Sequence, residues 1–432
     1  MGSINLKHTG SGSAITLSSD GTNLLLDGTA IGGGGGGSPD LYAENYDGTS
    51  TLPTATGTNA VALGDGSNAT GYKSFAAAIG NTYSSYGANG FGSVSIGLQS
   101  RANGTSSVAI GQNAKSEGTS SYAFGGYANY TYSTSLGYKA RAEAIDATAI
   151  GNSLASGTDS FAAAITNNTT SYGATGANSI AIGTLAKAAG SYSVALGNQA
   201  LTSAGYSGAV ALGASYAKGN NSFAAALGGS STQYGALGNN SMAMGYQSTT
   251  SSANSVAFGY RSKATGSDAT VFGIEGQSAI ACKTAFGGRK FTSSGDCQGA
   301  KYILKAETTD ATPKEMVSGF ASSSVYENRV LALENNSAYA FHGTIVARQK
   351  ASEGTASAAW KIEGLIRREG SEATTVLVNS SITALDNTPS WGLSLSANTA
   401  TYAGNLAITV TGASSTNIRW VSNIDTSELT YA

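Results

Sequence analysis

A five-residue phrase recurs through the middle of this chain at a nearly fixed spacing. Each copy reads apolar–Ala–apolar–Gly, in most cases after a Ser or Asn, and the clear copies place the first apolar residue at Val61, Val108, Ile180, Val194, Val210, Met242 and Val256. Looser copies bring the count to 16 marks between Gly64 and Gly287, with Thr166 at one mark where a glycine is due. The commonest step is 14 residues. So short a period predicts a solenoid in which one turn of chain is one repeat.

A turn of about 14 residues has room for two short strands and two bends. In the phrase itself the two outer apolar side chains share one strand face and the alanine takes the other. A second strand is visible as small residues at 114–118, 186–190 and 217–219. Glycine suits the corners, because it reaches backbone conformations that branched residues cannot. No proline lies between Thr54 and Ala311, as unbroken ladder hydrogen bonding requires.

The thinness of such a coil predicts how it is buried. Two short strands enclose only one or two apolar side chains each, so a single chain would leave long apolar ladders in water. We expect the alanine rows to let neighbouring copies approach closely and bury a second face. The solenoid therefore predicts an assembly of several copies side by side.

Three turns are wider than the rest and share a second motif. Ser-Phe-Ala-Ala-Ala-Ile/Leu at 74–79, 160–165 and 222–227 is followed each time by Tyr-Gly-Ala, at Tyr86, Tyr172 and Tyr234. These tyrosines are the candidate receptor contacts if the wide turns protrude. The alternative is a longer bend whose tyrosine covers an apolar edge of the coil, since a tyrosine at a bend usually packs its ring.

Basic residues recur in the second strand, at Lys115, Arg141, Lys187 and Lys218. Their offset from the preceding alanine predicts one outward column. Such a column is either a receptor-facing stripe or a solvated face that prevents lateral aggregation.

The chain divides by composition into five parts. Residues 1–31 form a leader with short strand-like runs at 14–17 and 23–26, expected to attach to another protein or to stay loose. Residues 32–53 are a Gly-rich linker, 54–290 the solenoid and 291–300 a transition.

The C-terminal part, 301–432, carries all three tryptophans and few glycines, which indicates a separate domain with its own core. Alternating segments at 339–348, 359–367, 374–383, 391–395, 406–411 and 417–423 predict an antiparallel sandwich or jelly roll. At that alternation, we expect Trp360 and Trp391 to lie in the core; a ligand platform is the alternative.

The sequence offers little reactive chemistry. A formal charge of −2 gives no basic surface for nucleic acid. Cys282 and Cys297, the two cysteines, are expected to be free thiols, and His342 to be structural because no ligand neighbours it in sequence. Glu143 and Asp146 are the one close acidic pair in the solenoid and the only candidates for glycan cleavage. We therefore expect no catalytic, cofactor-binding or metal site and no enzymatic activity.

The repeated Ser-Val-Ala-Ile-Gly motif, at about 14 residues per turn, resembles the head repeats of trimeric autotransporter adhesins of the YadA type. That resemblance implies a left-handed parallel β-roll of three chains about one axis. The segments 3–8 and 359–368 also resemble fibre proteins of marine and cyanobacterial phages. No secretory signal and no run of 18 apolar residues is present, so we expect assembly in a host cytoplasm without membrane insertion.

Together these observations predict a homotrimeric fibre on the outside of a phage virion. Its leader would bind tail or other virion proteins, its roll would act as a spacer, and its distal C-terminal knob would bind a host surface glycan or outer-membrane protein. A bacterial surface adhesin and a glycan-degrading tailspike are the alternatives.

Overall fold

The computed structural model gives only the backbone strands of the first 50 residues, at 4–6, 15–19, 24–26 and 29–30. The remaining chain is described over these ranges: 51–80, 83, 85–167, 169–226, 228, 233–318, 331–400 and 404–431. Two compact units, Met1–Ala128 and Asn129–Ala432, make up the structure. Among the described residues no helix is long and apolar enough to cross a membrane.

The leader forms an antiparallel meander of short strands: Ile4–Leu6, Ile15–Ser19, Leu24–Leu26 and Thr29–Ala30. Both strand-like runs expected from the sequence overlap strands of this meander. The glycines of the linker, 32–37, lie outside the described residues.

The first unit continues as a parallel solenoid of alternating long and short strands. Its three-residue strands are Val61–Leu63, Phe75–Ala77, Val94–Ile96, Val108–Ile110 and Tyr122–Phe124. Its two-residue strands are Thr54–Ala55, Asn68–Ala69, Gly87–Ala88, Arg101–Ala102, Lys115–Ser116 and Tyr127–Ala128. Each strand pairs in register with the equivalent strand of the next turn, as Val94 does with Val108.

The second unit contains the same winding. Its long strands are Thr134–Leu136, Thr148–Ile150, Phe161–Ala163, Ile180–Ile182, Val194–Leu196, Val210–Leu212, Phe223–Ala225, Met242–Met244, Val256–Tyr260, Thr270–Ile274 and Thr284–Gly288. Its short strands are Arg141–Ala142, Leu154–Ala155, Gly173–Ala174, Lys187–Ala188, Leu201–Thr202, Tyr216–Ala217, Gly235–Ala236, Thr249–Thr250, Lys263–Ala264 and Gln277–Ser278. The prediction of an all-β parallel solenoid with two strands per turn is confirmed.

Alanine methyl groups fill the interior of the coils. The middle residue of almost every long strand is fully buried, as Ala109, Ala181 and Ala195 are, while the flanking aliphatic residues face outward. The expectation that alanine rows form the contact between copies is therefore wrong. A coil of two short strands leaves little space between its sheets, so alanines take most of the inside positions and most of the larger residues stay on the surface.

The serine of the repeated phrase has an internal role. Buried hydroxyls donate to the glycine carbonyl three residues earlier, from Ser93 to Gly90, from Ser179 to Gly176 and from Ser193 to Gly190, at 2.6–2.8 Å. In these turns the hydroxyl closes the bend before the long strand, and its own hydrogen-bonding need is met by the backbone inside an interior lined mostly by alanine.

Glycine serves the two corners for different reasons. After a long strand, Gly183 and Gly245 have φ of 120° and 104°, which side-chain-bearing residues rarely adopt. After a short strand, Gly176 has an ordinary φ, but a Cβ there would lie 2.1 Å from the carbonyl oxygen of Gly190 in the next turn. The second corner thus needs glycine for close approach of two backbones. Thr166, at the mark that lacks glycine, also has a left-handed φ of 61°.

The C-terminal region forms two antiparallel sheets. The larger has the spatial order Thr284–Gly288, Cys297–Thr308, Ile418–Thr430, Ser337–Gln349, Ser357–Arg368 and Val376–Asp386, so it continues directly from the last long strand of the solenoid. The smaller contains Lys314–Glu315, Leu331–Ala332, Gly392–Asn398 and Asn405–Thr411. A short 3₁₀ helix spans Glu372–Thr374.

Tryptophan packing between these sheets confirms the predicted core. Trp420 is fully buried, with its ring stacked on Trp360 at 5.6 Å and tilted against Trp391 at 5.8 Å between ring centroids. Its indole N–H donates to the Thr308 hydroxyl at 3.0 Å. The sequence prediction placed 291–300 in a transition, but the structure begins a twelve-residue strand at Cys297.

Candidate interaction surfaces

The outer face of the long strands is a continuous apolar ladder in the second unit. Parallel pairing in register stacks the first positions of successive long strands in one column and the third positions in another. Eight large side chains on this face are 36–50 % exposed: Leu136, Ile150, Ile180, Ile182, Met242, Phe258, Phe272 and Phe286. At roughly 180 Å² per side chain they expose roughly 600 Å², at the upper end of what monomers leave in water.

Aromatic rings form a regular row along part of this apolar face. The rings of Phe258, Phe272 and Phe286 follow one another with centroids 6.5 and 6.0 Å apart. With about 4.8 Å between strands, the eleven long strands of this unit extend the strip over roughly 48 Å. A flat strip this long matches a sheet face that packs on another sheet.

The short strands present the opposite face, and its basic column differs from the sequence prediction. Lys115, Arg141 and Lys187 do occupy the half-exposed first position of their strands. Lys218 does not, because the strand there is Tyr216–Ala217 and Tyr216 pairs with Leu201. Including Lys218 in the column was therefore wrong, whereas Lys263 belongs to it.

Two of the widened turns bury an aliphatic side chain just before their longer loops. Ile79 and Ile165 are fully buried, and their N–H groups donate to the Ser67 and Ser153 hydroxyls of the preceding turn, at 3.3 and 3.1 Å. Ala78 takes the corner position that glycine holds in other turns, since Phe75–Ala77 pairs in register with Val94–Ile96, and Ala78 and Gly97 both have a positive φ, of 53° and 113°.

The three candidate tyrosines lie where these loops return. Tyr86, Tyr172 and Tyr234 are all half-buried. Tyr86 and Tyr172 pack partly against the alanine core of their own coils. For Tyr86 and Tyr172 this packing agrees with the interpretation that the ring covers the coil, and receptor contact by the three tyrosines stays a prediction.

A buried ionic network joins the solenoid to the C-terminal sheets. Lys283, in the last turn, is 3 % exposed, and its ammonium lies 2.5 Å from the Glu428 carboxylate in the final strand. The same carboxylate accepts hydrogen bonds from Gln298 at 2.8 Å, Tyr302 at 2.8 Å and Thr426 at 3.0 Å. Burial raises the pKa of Tyr302 well above its usual value, and the charge of Glu428 raises it further.

Gln298 and Asp296 complete this junction. The Gln298 amide donates to the backbone carbonyl of Gln277 and accepts from its N–H, both at 2.9 Å, so it extends the short-strand ladder by one rung. Asp296 accepts from three backbone N–H groups at 291–293. Burial alone would raise the pKa of Asp296, but these donors outweigh it and hold the pKa below its usual value.

No sequence motif predicts this junction network. Lys283 and Glu428 are separated by 145 residues, and neither belongs to a motif. A faint signal exists in the alternation of the last strand, where Glu428 takes an inward position after Ile424 and Thr426. An acidic residue at a core position requires a buried partner.

His342 lies on the outer face of the larger sheet. The sheet register places Glu363 and Asp425 directly beside it on the two adjacent strands. No acidic residue lies close to His342 along the sequence, but strand pairing brings these two carboxylates beside it. Both carboxylates are ion-paired to lysines, Glu363 to Lys361 at 3.1 Å and Asp425 to Lys301 at 3.2 Å.

The remaining candidates for chemistry are dispersed. Glu143 is ion-paired with Arg141, whose Nε lies 2.8 Å from the carboxylate, and Asp146 occupies a left-handed corner with φ of 55°. Cys282 and Cys297 are free thiols, and burial followed by the charge of Asp268 raises the pKa of Cys282. Within the described ranges, no group of three His, Cys, Asp or Glu residues is arranged to hold a metal ion.

Several segments of the solenoid match a known family of repeats. The family described as "YadA head domain repeat (2 copies)" matches residues 55–77, 88–114, 131–153, 174–200, 236–262 and 252–275. Among curated proteins, none matches the chain significantly.

One similar solved structure is that of the Acinetobacter phage vB_ApiP_P1 tailspike protein, at 9% sequence identity over 78% of each chain and a TM-score of 0.15. The segments matched by the family model show that the solenoid carries repeats of the YadA head kind, so the chain is adhesin-like in architecture.

Proposed function

We propose that this chain is a non-enzymatic structural fibre of a phage virion, a homotrimer that carries a C-terminal domain for host-cell attachment. The single observation that supports the trimer most strongly is the apolar strip on the long strands of the second unit. Its eight exposed large side chains would be buried if three copies packed long-strand face to long-strand face. The YadA head repeats, from a family of trimeric adhesins, support the same arrangement.

Attachment to a surface fits the rest of the chain. The leader and linker precede the solenoid and would bind other virion proteins, and the sandwich follows it. The junction network couples the solenoid rigidly to the sandwich through Lys283 and Glu428. Three linked copies of a weak binding domain would hold a cell surface by avidity.

The mass of the full-length protein in solution tests the trimer. Light scattering should give three chains for the unmodified protein. Ile182→Lys places a charge in the proposed contact and should shift the mass towards one chain or cause aggregation, because an unpaired buried charge is costly. Thr184→Lys, at an exposed corner two residues away, is the matched control and should leave three chains. A single-chain mass for the unmodified protein would refute the trimer.

Cell binding and virion imaging test the attachment role. Purified fibre should compete with virions for adsorption to the host, and antibody against it should label an external appendage in electron micrographs. Incubation with host polysaccharide should release no oligosaccharide. Release that depends on Glu143 or Asp146 would overturn the non-enzymatic part of the proposal.

A bacterial surface adhesin is the second candidate, because the YadA head repeats are an adhesin module. Detection of the protein on bacterial cells, in the absence of virus particles, would favour it over the virion fibre.

A further inference from the structure

The widened turn at Tyr172 forms one wall of a groove on the short-strand face. The groove has a volume of about 420 Å³, and its lining consists of Ser171, Tyr172, Leu185, Lys187, Gln199 and Leu201. These residues come from three successive turns, because Gly173 pairs with Lys187 and Lys187 pairs with Leu201.

One charge in this groove has no partner. Arg101 and Arg141, which hold the same first position in their short strands as Lys187 does in its own, pair with the carboxylates of Glu117 and Glu143. Lys187 itself has no ion pair among the described residues, and no acidic residue lines the groove. Lys187 and Tyr172 are both half-buried and line the same groove, so the lysine is available to an anionic ligand that also reaches the tyrosine.

The uncharged groups around Lys187 narrow the ligand class. Tyr172 is held by partial packing against the alanine core, so its ring is a preorganised surface. Gln199 is exposed and offers both a donor and an acceptor. An aromatic face, an amide and an ammonium in a shallow open groove suit a sugar ring that carries a carboxylate. The sugar ring would stack on Tyr172, its hydroxyls would hydrogen-bond to Gln199, and its carboxylate would pair with Lys187.

The groove stays accessible in the assembly proposed above. Lys187 and Leu201 belong to short strands, whereas the apolar strip belongs to the long strands on the opposite face of the coil. A trimer joined through the long strands leaves the short-strand face in water.

We propose that this groove binds an acidic sugar residue of a host surface glycan, with Lys187 pairing the carboxylate and Tyr172 supporting the ring. The inference rests on the proposed attachment function and adds a binding site on the solenoid to the C-terminal domain. Related positions recur after the other wide turns, where Arg101 lies one turn beyond Tyr86 and Lys263 two turns beyond Tyr234. Arg101, however, is already paired with Glu117.

Binding of the full-length protein to a glycan array tests the groove. The array should carry uronic-acid and nonulosonic-acid oligosaccharides, each beside a neutral oligosaccharide of the same core, and acidic peptides as a separate class. We expect binding to acidic glycans over their neutral counterparts. Lys187→Gln should weaken that binding roughly tenfold or more, because it removes a charge-assisted hydrogen bond.

Lys73→Gln is the matched control, since it removes an equal charge from an exposed corner of the solenoid that does not line the groove. It should leave glycan binding unchanged, and equal far-UV circular dichroism and equal mass for both variants would show that both fold. Binding to no acidic glycan, a preference for acidic peptides, or an undiminished affinity in Lys187→Gln would each overturn the site.

A host-cell binding assay distinguishes failure of the groove proposal from failure of the proposed attachment function. If the protein binds host cells and Lys187→Gln binds them equally well, the groove is refuted and the attachment role stands. If the unmodified protein binds no host cells, the attachment role fails as well.

Discussion

Glycine at the corner after each short strand is the most specific steric requirement in the solenoid. Gly176 lies against the backbone of the next turn, where an added Cβ would meet the Gly190 carbonyl oxygen at 2.1 Å and its carbonyl carbon at 2.5 Å. Ordinary contacts to a methyl carbon begin about 1 Å farther out, so in Gly176→Ala the two turns must separate or tilt.

The expected cost follows from the contacts that hold this corner. The N–H groups of Thr175 and Gly176 both donate to the Ala188 carbonyl, at 2.9 and 3.1 Å, and separation of the turns weakens both bonds. At about 1 kcal/mol for each hydrogen bond and about 1–3 kcal/mol for overpacking, Gly176→Ala should destabilise these turns by about 3–5 kcal/mol.

Two further glycines are matched controls. Gly213 has φ of 67° but nothing within 4 Å of an added Cβ, so Gly213→Ala should cost about 1–2 kcal/mol from backbone strain alone. Gly370 has open space and no left-handed φ, so Gly370→Ala should change stability by less than about 0.5 kcal/mol.

Hydrogen exchange measured by mass spectrometry gives the local readout. Amides at 173–190 should exchange faster in Gly176→Ala, with guanidinium unfolding of the whole protein as a second measurement. If Gly176→Ala behaves like Gly370→Ala in both assays, close backbone approach is not what requires glycine at these corners.

Two other predictions concern the junction between the solenoid and the sandwich. Lys283→Met should cost about 3–5 kcal/mol in guanidinium unfolding, because it leaves the Glu428 carboxylate buried without its cation, and Lys283→Met/Glu428→Leu should recover part of the loss in a double-mutant cycle. Because the pKa of Tyr302 is raised in the folded state, its contribution is complete below its ordinary value of 10.0 and is lost as the pH rises towards the folded value. The denaturant midpoint of unfolding should therefore decrease as the pH rises above about 10, and it should decrease less in Tyr302→Phe. Equal slopes of midpoint against pH for the two proteins would contradict this assignment.

Local pattern was enough to predict the winding of the solenoid. Ser-Val-Ala-Ile-Gly fixes which side chains share a face, since strand residues alternate strictly, and the 14-residue step fixes the length of a turn. The same alternation correctly placed Trp360 and Trp391 in a core, because a large ring on the inner face of a long strand has no better place to be buried.

The direction in which each face points was settled by three-dimensional packing. Sequence alternation separates the alanines from the aliphatic residues but does not say which set lies inside. The narrow gap between two short sheets favours small side chains, so the alanine rows turn inward and Ile180 and Ile182 turn outward. Long-range pairing likewise brought Glu428 to Lys283 and placed two acidic residues beside His342, through strand registers that depend on the whole sheet. Contacts between distant segments are set by the way the sheets close, and no local period encodes that.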